Sequence, residues 1–173
     1  MDAMPVNLCV VSQDHSDPKQ IERTSVYVAR MLENRGIADS GSFKIICSTE
    51  AFHQDIVNEI LGQVRIEDHR RQELAYKSIP CLLLDDHRVD PTPRDYLDVL
   101  TRAGLFVERF VWRLDASMLV VLTYRFPSIM MHKYLIGEME WKPDDIYEMV
   151  PVRLYEVQGE PKTARVVYEM PSE

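Results

Sequence analysis

Residues 6–36, VNLCVVSQDHSDPKQIERTSVYVARMLENRG, hold a complete strand–loop–helix unit. The run 6–11 is apolar and rich in β-branched residues, which predicts a buried strand. A polar loop covers 12–17. Asp17 stands where a helix N-cap belongs, and Pro18 takes the first helical position, where its missing N–H costs nothing. Ile21, Ser25, Val28, Ala29 and Leu32 recur at helical spacing and form one inward stripe. Gly36 is expected to end the helix, because glycine takes the left-handed cap conformation without a Cβ penalty.

The pattern repeats outward from there. Residues 43–47 (FKIIC) read as a second strand, and Ser48 or Thr49 caps a second helix whose inner face is Phe52, Ile56, Val57, Ile60, Leu61 and Val64. Residues 67–77 are densely charged and predict an exposed helix, with Arg70 and Arg71 on its solvated face. The stretch 79–84 (IPCLLL) reads as a third strand, apolar throughout as in a strand covered on both sides. Thr92-Pro93-Arg94-Asp95 starts the next helix with cap, Pro and answering carboxylate in sequence. Leu97, Leu100 and Ala103 face inward, and Gly104 is read as the stop. The first 104 residues are thus β-α-β-α-β-α.

After Gly104 the spacing suggests strands. Residues 105–114 and 118–126 (MLVVLTYRF) read as two strands joined by a hairpin at Asp115-Ala116-Ser117. Pro127-Ser128 breaks the run, 134–140 reads as a further strand, and Pro143-Asp144-Asp145 as a turn. Residues 146–157 and 163–170 read as strands around a hairpin at Gly159-Glu160-Pro161, with Pro151 pushing the first of them to a sheet edge. The expected class is α/β (α+β): a β-α-β-α-β-α half followed by a mostly antiparallel β-meander. One compact domain over 1–173 is expected, with 5–104 and 105–170 as its two lobes if it divides.

Composition narrows the function classes. Asp and Glu number 28 against 20 Lys and Arg, for a net charge of −8, so nucleic acid is an unfavourable partner. From residue 138 onward there are nine acidic residues and four basic ones. The three cysteines sit in separate apolar runs with no CxxC, which predicts reduced, buried thiols and a cytoplasmic setting. The first residues do not read as a signal peptide, and no apolar run approaches the ~20 residues of a membrane span. Six glycines and no Gly-rich phosphate loop predict no nucleotide cofactor, and no G-x-S-x-G stands in the chain.

Three stretches carry candidate chemistry. Asp85-Asp86-His87 follows the third strand, where ligands bind in parallel α/β sheets, and Asp85 and His87 would be its metal ligands. Glu140-Trp141-Lys142 places Glu140 and Lys142 two apart, which resembles the E-x-K half of a PD-(D/E)xK nuclease site, with Asp115 as the upstream acid. Lys77-Ser78-Ile79-Pro80-Cys81-Leu82-Leu83-Leu84 resembles the stretch before the third strand of thioredoxin-like domains, where a cis-proline follows an apolar residue. That resemblance covers residues 5–104 and implies a thioredoxin-like ligand-binding domain. It implies no redox chemistry, because the first loop has no cysteine.

Met and aromatic residues crowd the C-terminal part. Met130, Met131, Tyr134 and Trp141 are read as an interface for a protein partner or self-association, since such side chains are enriched at contacts between chains. The function expected from the sequence is a non-enzymatic protein–protein interaction or assembly subunit. The alternatives are a metal-dependent hydrolase or nuclease and the thioredoxin-like ligand-binding domain.

Overall fold

The computed structural model describes residues 6–15, 17–35, 43–76 (backbone only for 74–76), 78–86, 88, 91–140, 142, 144–145 and 150–171. Strand β1 is Val6–Ser12 and helix α1 is Pro18–Asn34, with Asp17 accepting the Lys19 amide as its N-cap. Strand β2 is Phe43–Cys47, followed by α2 (Ala51–Gln63) and α3 (Asp68–Tyr76). Strand β3 is only Ile79–Pro80, and α4 is Pro93–Phe106. The Thr92–Asp95 capping box at the start of α4 is complete. Strand β4 is Met118–Thr123, α5 is Arg125–Ile136, and β5 (Val152–Gly159) and β6 (Lys162–Glu169) form the closing hairpin.

One sheet of six strands runs in the order β3-β2-β4-β1-β5-β6. β1 pairs parallel with β4, β4 with β2, and β2 with β3, while β5 and β6 add antiparallel. The α/β class read from the sequence therefore holds. Both faces of the central strands are covered. Cys9, Val11, Val120 and Leu122 point to the face packed by α1 and α2, and Leu8, Val10, Leu119 and Val121 to the face packed by α4 and α5. That double burial is why β1 and β4 read as unbroken apolar runs.

The second half differs from the expected meander. Among the described residues antiparallel pairing is confined to β5 and β6, and the hairpin at Gly159-Glu160-Pro161 stands where it was expected. Residues 105–114 are not a strand: α4 runs through Gly104 to Phe106 and on into a π-helical turn, Val107–Val111. Gly104 is no stop; a Cβ there would lie 2.7 Å from the Tyr134 ring, so glycine is what lets α5 pack on α4. Residues 125–136 form a helix rather than a break and a strand. Pro127 sits in the helix's first turn, where no N–H is needed. Pro151 precedes β5, which lies between β1 and β6 and is not an edge.

The interface reading is corrected by burial. Met130 and Met131 are fully buried on the inner face of α5, and Tyr134 packs against the same core and donates its hydroxyl to Glu108 at 2.8 Å. Trp141, like Gly36, lies outside the described residues. Arg71 is also not a solvated side chain. It donates to the carbonyls of Leu61, Val64 and Ile66 and so closes the C-terminal end of α2. The strand expected at 79–84 gives way after Pro80 to a 3-10 turn, Leu82–Leu84. Among the described residues the cis peptide bond is Glu160–Pro161, so Ile79–Pro80 is trans.

Candidate functional site at the strand ends

β1, β2 and β4 end side by side, and the crevice beyond such ends is where open α/β sheets bind ligands. Gln13, Ser48 and Tyr124 lead the chain out of these strands. The Gln13 amide donates to the Thr123 carbonyl at 2.9 Å and the Ser48 amide to the Leu122 carbonyl at 3.0 Å, so the loops leave in register.

His53, in the first turn of α2, is the centre of this end. It is fully buried, with Phe52 against its ring (centroids 4.2 Å) and Tyr124 edge-on at 4.7 Å. Its Nε2–H donates to the Gln13 carbonyl at 2.8 Å. That fixes Nδ1 as the acceptor, and Nδ1 faces the Ser48 hydroxyl. Ser48 Oγ in turn accepts from the Glu50 amide at 3.2 Å. Burial pulls the His53 pKa below its ordinary value, although the Gln13 carbonyl and the carboxylates of Glu50, Asp85 and Asp14 push the other way. The imidazole is therefore neutral at pH 7, as a proton acceptor must be.

Three carboxylates ring this pair, and each has a partner. Asp14 accepts from the Arg125 amide at 2.7 Å and lies 3.3 Å from its guanidinium. Asp85 accepts from the Thr49 amide at 2.7 Å and from the Thr49 hydroxyl. Glu50 accepts the Tyr124 hydroxyl; burial first, then this carboxylate, holds that phenol far above its usual range. Glu50 stands at the N-cap of α2 but makes no side-chain cap bond. Gln13 Oε1 is buried and has no hydrogen-bond partner among the described residues.

The candidates read from the sequence do not converge. Asp85 belongs to this site, but Asp86 turns away into an ionic cluster, 2.5 Å from Arg88 and 2.6 Å from Arg102. Burial pushes the Asp86 carboxyl up, yet those two guanidiniums outweigh it and hold the group below its usual value. His87 lies outside the described residues. Among those described, no three His, Cys, Asp or Glu side chains are grouped as a metal centre. Glu140 and Lys142 are exposed in the loop after α5, not paired on a strand: the Glu140 carbonyl accepts Lys133 Nζ at 3.0 Å, and the Lys142 amide donates to Asp145. Asp115 is 2.5 Å from Lys44. The residues that do meet, Gln13, Ser48, His53 and Tyr124, carried one legible signal. His53 interrupts the stripe of α2 that buries Ile56, Val57, Ile60 and Leu61, and a histidine on such a stripe needs partners.

No helix among the described residues is long and apolar enough to cross a membrane. No family model and no curated protein matches the sequence. Solved structures do match, along nearly the whole chain. Phosphoglycerate mutase from Plasmodium falciparum is similar over 99% of this chain and 97% of its own, at 6% identity and a TM-score of 0.62. The mycobacterial glucosyl-3-phosphoglycerate phosphatase, solved with inorganic phosphate, is similar over 98% of both chains at 10% identity and a TM-score of 0.62. A structure described as mycobacterial hydrolase 1 is similar over 98% and 99% of the two chains, at 9% identity and the same score. The chain thus shares its fold with these structures along nearly its whole length, whereas the thioredoxin-like reading reached only residue 104. The expectation of a non-enzymatic binding or structural subunit is overturned by these likenesses, and the hydrolase alternative stands closer to them.

Proposed function

We propose that this chain hydrolyses small phosphate monoesters at the carboxyl ends of β1, β2 and β4, with Ser48 as nucleophile and His53 as its base. The carrying observation is the Ser48–His53–Gln13 carbonyl relay. A hydroxyl, a neutral imidazole and a fixed acceptor behind it are the parts of an activated nucleophile. The fold shared with phosphatases supports phosphate monoesters as the substrate class.

Ser48 Oγ bonds to phosphorus while its proton passes to His53 Nδ1. The bond from phosphorus to the ester oxygen breaks, and Nδ1 returns the proton to that leaving oxygen. Water then gives a proton to His53 Nδ1, bonds to phosphorus and displaces Ser48 Oγ, to which Nδ1 returns that proton, releasing phosphate and restoring the hydroxyl and the neutral imidazole. The negative charge develops beside the N-terminus of α2, whose first amides favour anions and are not closed by the Glu50 side chain. Gln13 Oε1 offers an acceptor to a substrate or water O–H. Ser48 and His53 are both fully buried, so turnover requires this end of the sheet to open to substrate.

The test is turnover of p-nitrophenyl phosphate and a panel of sugar phosphates by the full chain, beside His53→Gln. Loss of the base should lower the rate by about 10²–10⁴-fold with the circular dichroism unchanged. Turnover that is absent, or equal in the variant, would sink the reading.

A further inference from the structure

On the opposite flank of the sheet, a cavity of about 670 Å³ lies between α1 and the β5–β6 hairpin. It exists because the sheet outruns its helices: Tyr168, on the edge strand opposite Leu154, is 59% exposed. The floor is apolar, with Leu154 and Met170 buried in the core beneath it. Tyr27 from α1 and Tyr168 from β6 both line it.

The walls are unusual for a chain of net charge −8. Among the described residues, every charged side chain lining the cavity is an arginine: Arg23, Arg30 and Arg35. Arg23, Tyr27 and Arg30 recur along one side of α1, and Arg35 follows its end. Arg30 is held by Glu33 at 2.8 Å. Arg35 donates to the neutral amide oxygen of Asn7 at 3.4 Å, which leaves its positive charge in place. Arg23 donates to the Pro171 carbonyl at 3.1 Å. Guanidiniums present flat, forked donors that match carboxylate and phosphate oxygens. The volume falls in the range of small-molecule sites.

We propose that this cavity binds an amphipathic organic anion, with an acyl or aromatic body against Tyr27, Tyr168 and Met170 and a carboxylate or phosphate head on Arg35. The apolar floor alone would take a neutral ligand, and the arginines alone would take inorganic phosphate. Both together select a molecule with both ends.

Titration calorimetry of the full chain with decanoate, decyl phosphate, decanol and inorganic phosphate tests this. One decanoate or decyl phosphate should bind per chain, and the tighter of the two identifies the head group. Arg35→Gln should weaken it by about tenfold or more, because a charge-assisted bond is lost. Tyr168→Ala, at an exposed position that folding does not need, should weaken it as well. His53→Gln should bind as the wild type does, which separates this site from the strand ends. Decanol or inorganic phosphate binding as tightly as decyl phosphate would overturn the proposal. So would an Arg35→Gln variant of unchanged affinity, or no binding at millimolar ligand.

Discussion

His53 Nε2 lies 2.8 Å from the backbone carbonyl oxygen of Gln13, forty residues away in the chain. This bond joins α2 to the loop after β1 and sets the tautomer on which the proposed chemistry depends. It also has a consequence for stability. In the unfolded chain the imidazole takes up a proton near its ordinary value of 6.5, while burial keeps it neutral to lower pH in the fold. Between the folded value and 6.5 the unfolded state therefore binds more protons, and stability rises with pH. The contribution is present in full above 6.5 and is lost as pH falls through the folded value. Urea midpoints measured from about pH 7.5 down to about pH 5 should fall more steeply for the wild type than for His53→Gln. Parallel profiles would mean that His53 titrates as it does in the unfolded chain.

Met130 and Met131 are core. Met130→Ala should cost about 2–5 kcal/mol, from lost burial plus the cavity left behind. Met130→Asp should fail to fold, because an unpaired carboxylate has no partner there. Thermal melts followed by circular dichroism give the answer. A folded, soluble Met130→Asp chain of wild-type Tm would return these residues to the surface.

Two glycines should respond to alanine in opposite directions. A Cβ at Gly159 would stand 2.4 Å from the Trp112 carbonyl oxygen, a backbone atom that cannot swing aside. A Cβ at Gly62, inside α2, meets nothing within 4 Å. Gly62→Ala should stabilise the chain by about 0.5–1 kcal/mol, while Gly159→Ala should destabilise it. Denaturant midpoints that move together would contradict the packing of the hairpin on the π-helical turn.

The thiols should be inert. Burial pushes Cys9 up to about 12 and Cys47 up to about 11, the latter despite a hydrogen bond from Gln54. Burial raises the half-buried Cys81 as well. The thiolate is the reactive form. Ellman's reagent at neutral pH should therefore react slowly with the native chain and quickly after unfolding in guanidinium. Rapid native labelling of Cys9 or Cys47 would contradict their burial.

What the sequence disclosed follows from which signals are local. Asp17-Pro18 and Thr92-Pro93 are caps made within a few residues, and both were legible. The 118–123 strand was legible as a strand, but its neighbours were not: it pairs parallel with β1 and β2, which lie far off in sequence. Phe106 and Phe110 satisfy helical spacing as well as alternation, and Gly104 looked like a stop because nothing local shows that Tyr134 needs the room. Asp85 was found at the site because it follows the third apolar run. Gln13, Ser48 and Tyr124 follow three different strands and His53 lies in the first turn of α2, and only the sheet order brings them together.

In the proposed reaction Ser48 carries the phosphoryl group during turnover. Acid-quenching the reaction with p-nitrophenyl phosphate and mapping the peptides by mass spectrometry tests it most directly. One phosphoryl group is expected on Ser48 in the wild type and none in Ser48→Ala, with loss of turnover in that variant. Turnover that survives Ser48→Ala, a phosphoryl group on another residue, or a wild type that neither turns over nor labels would contradict it.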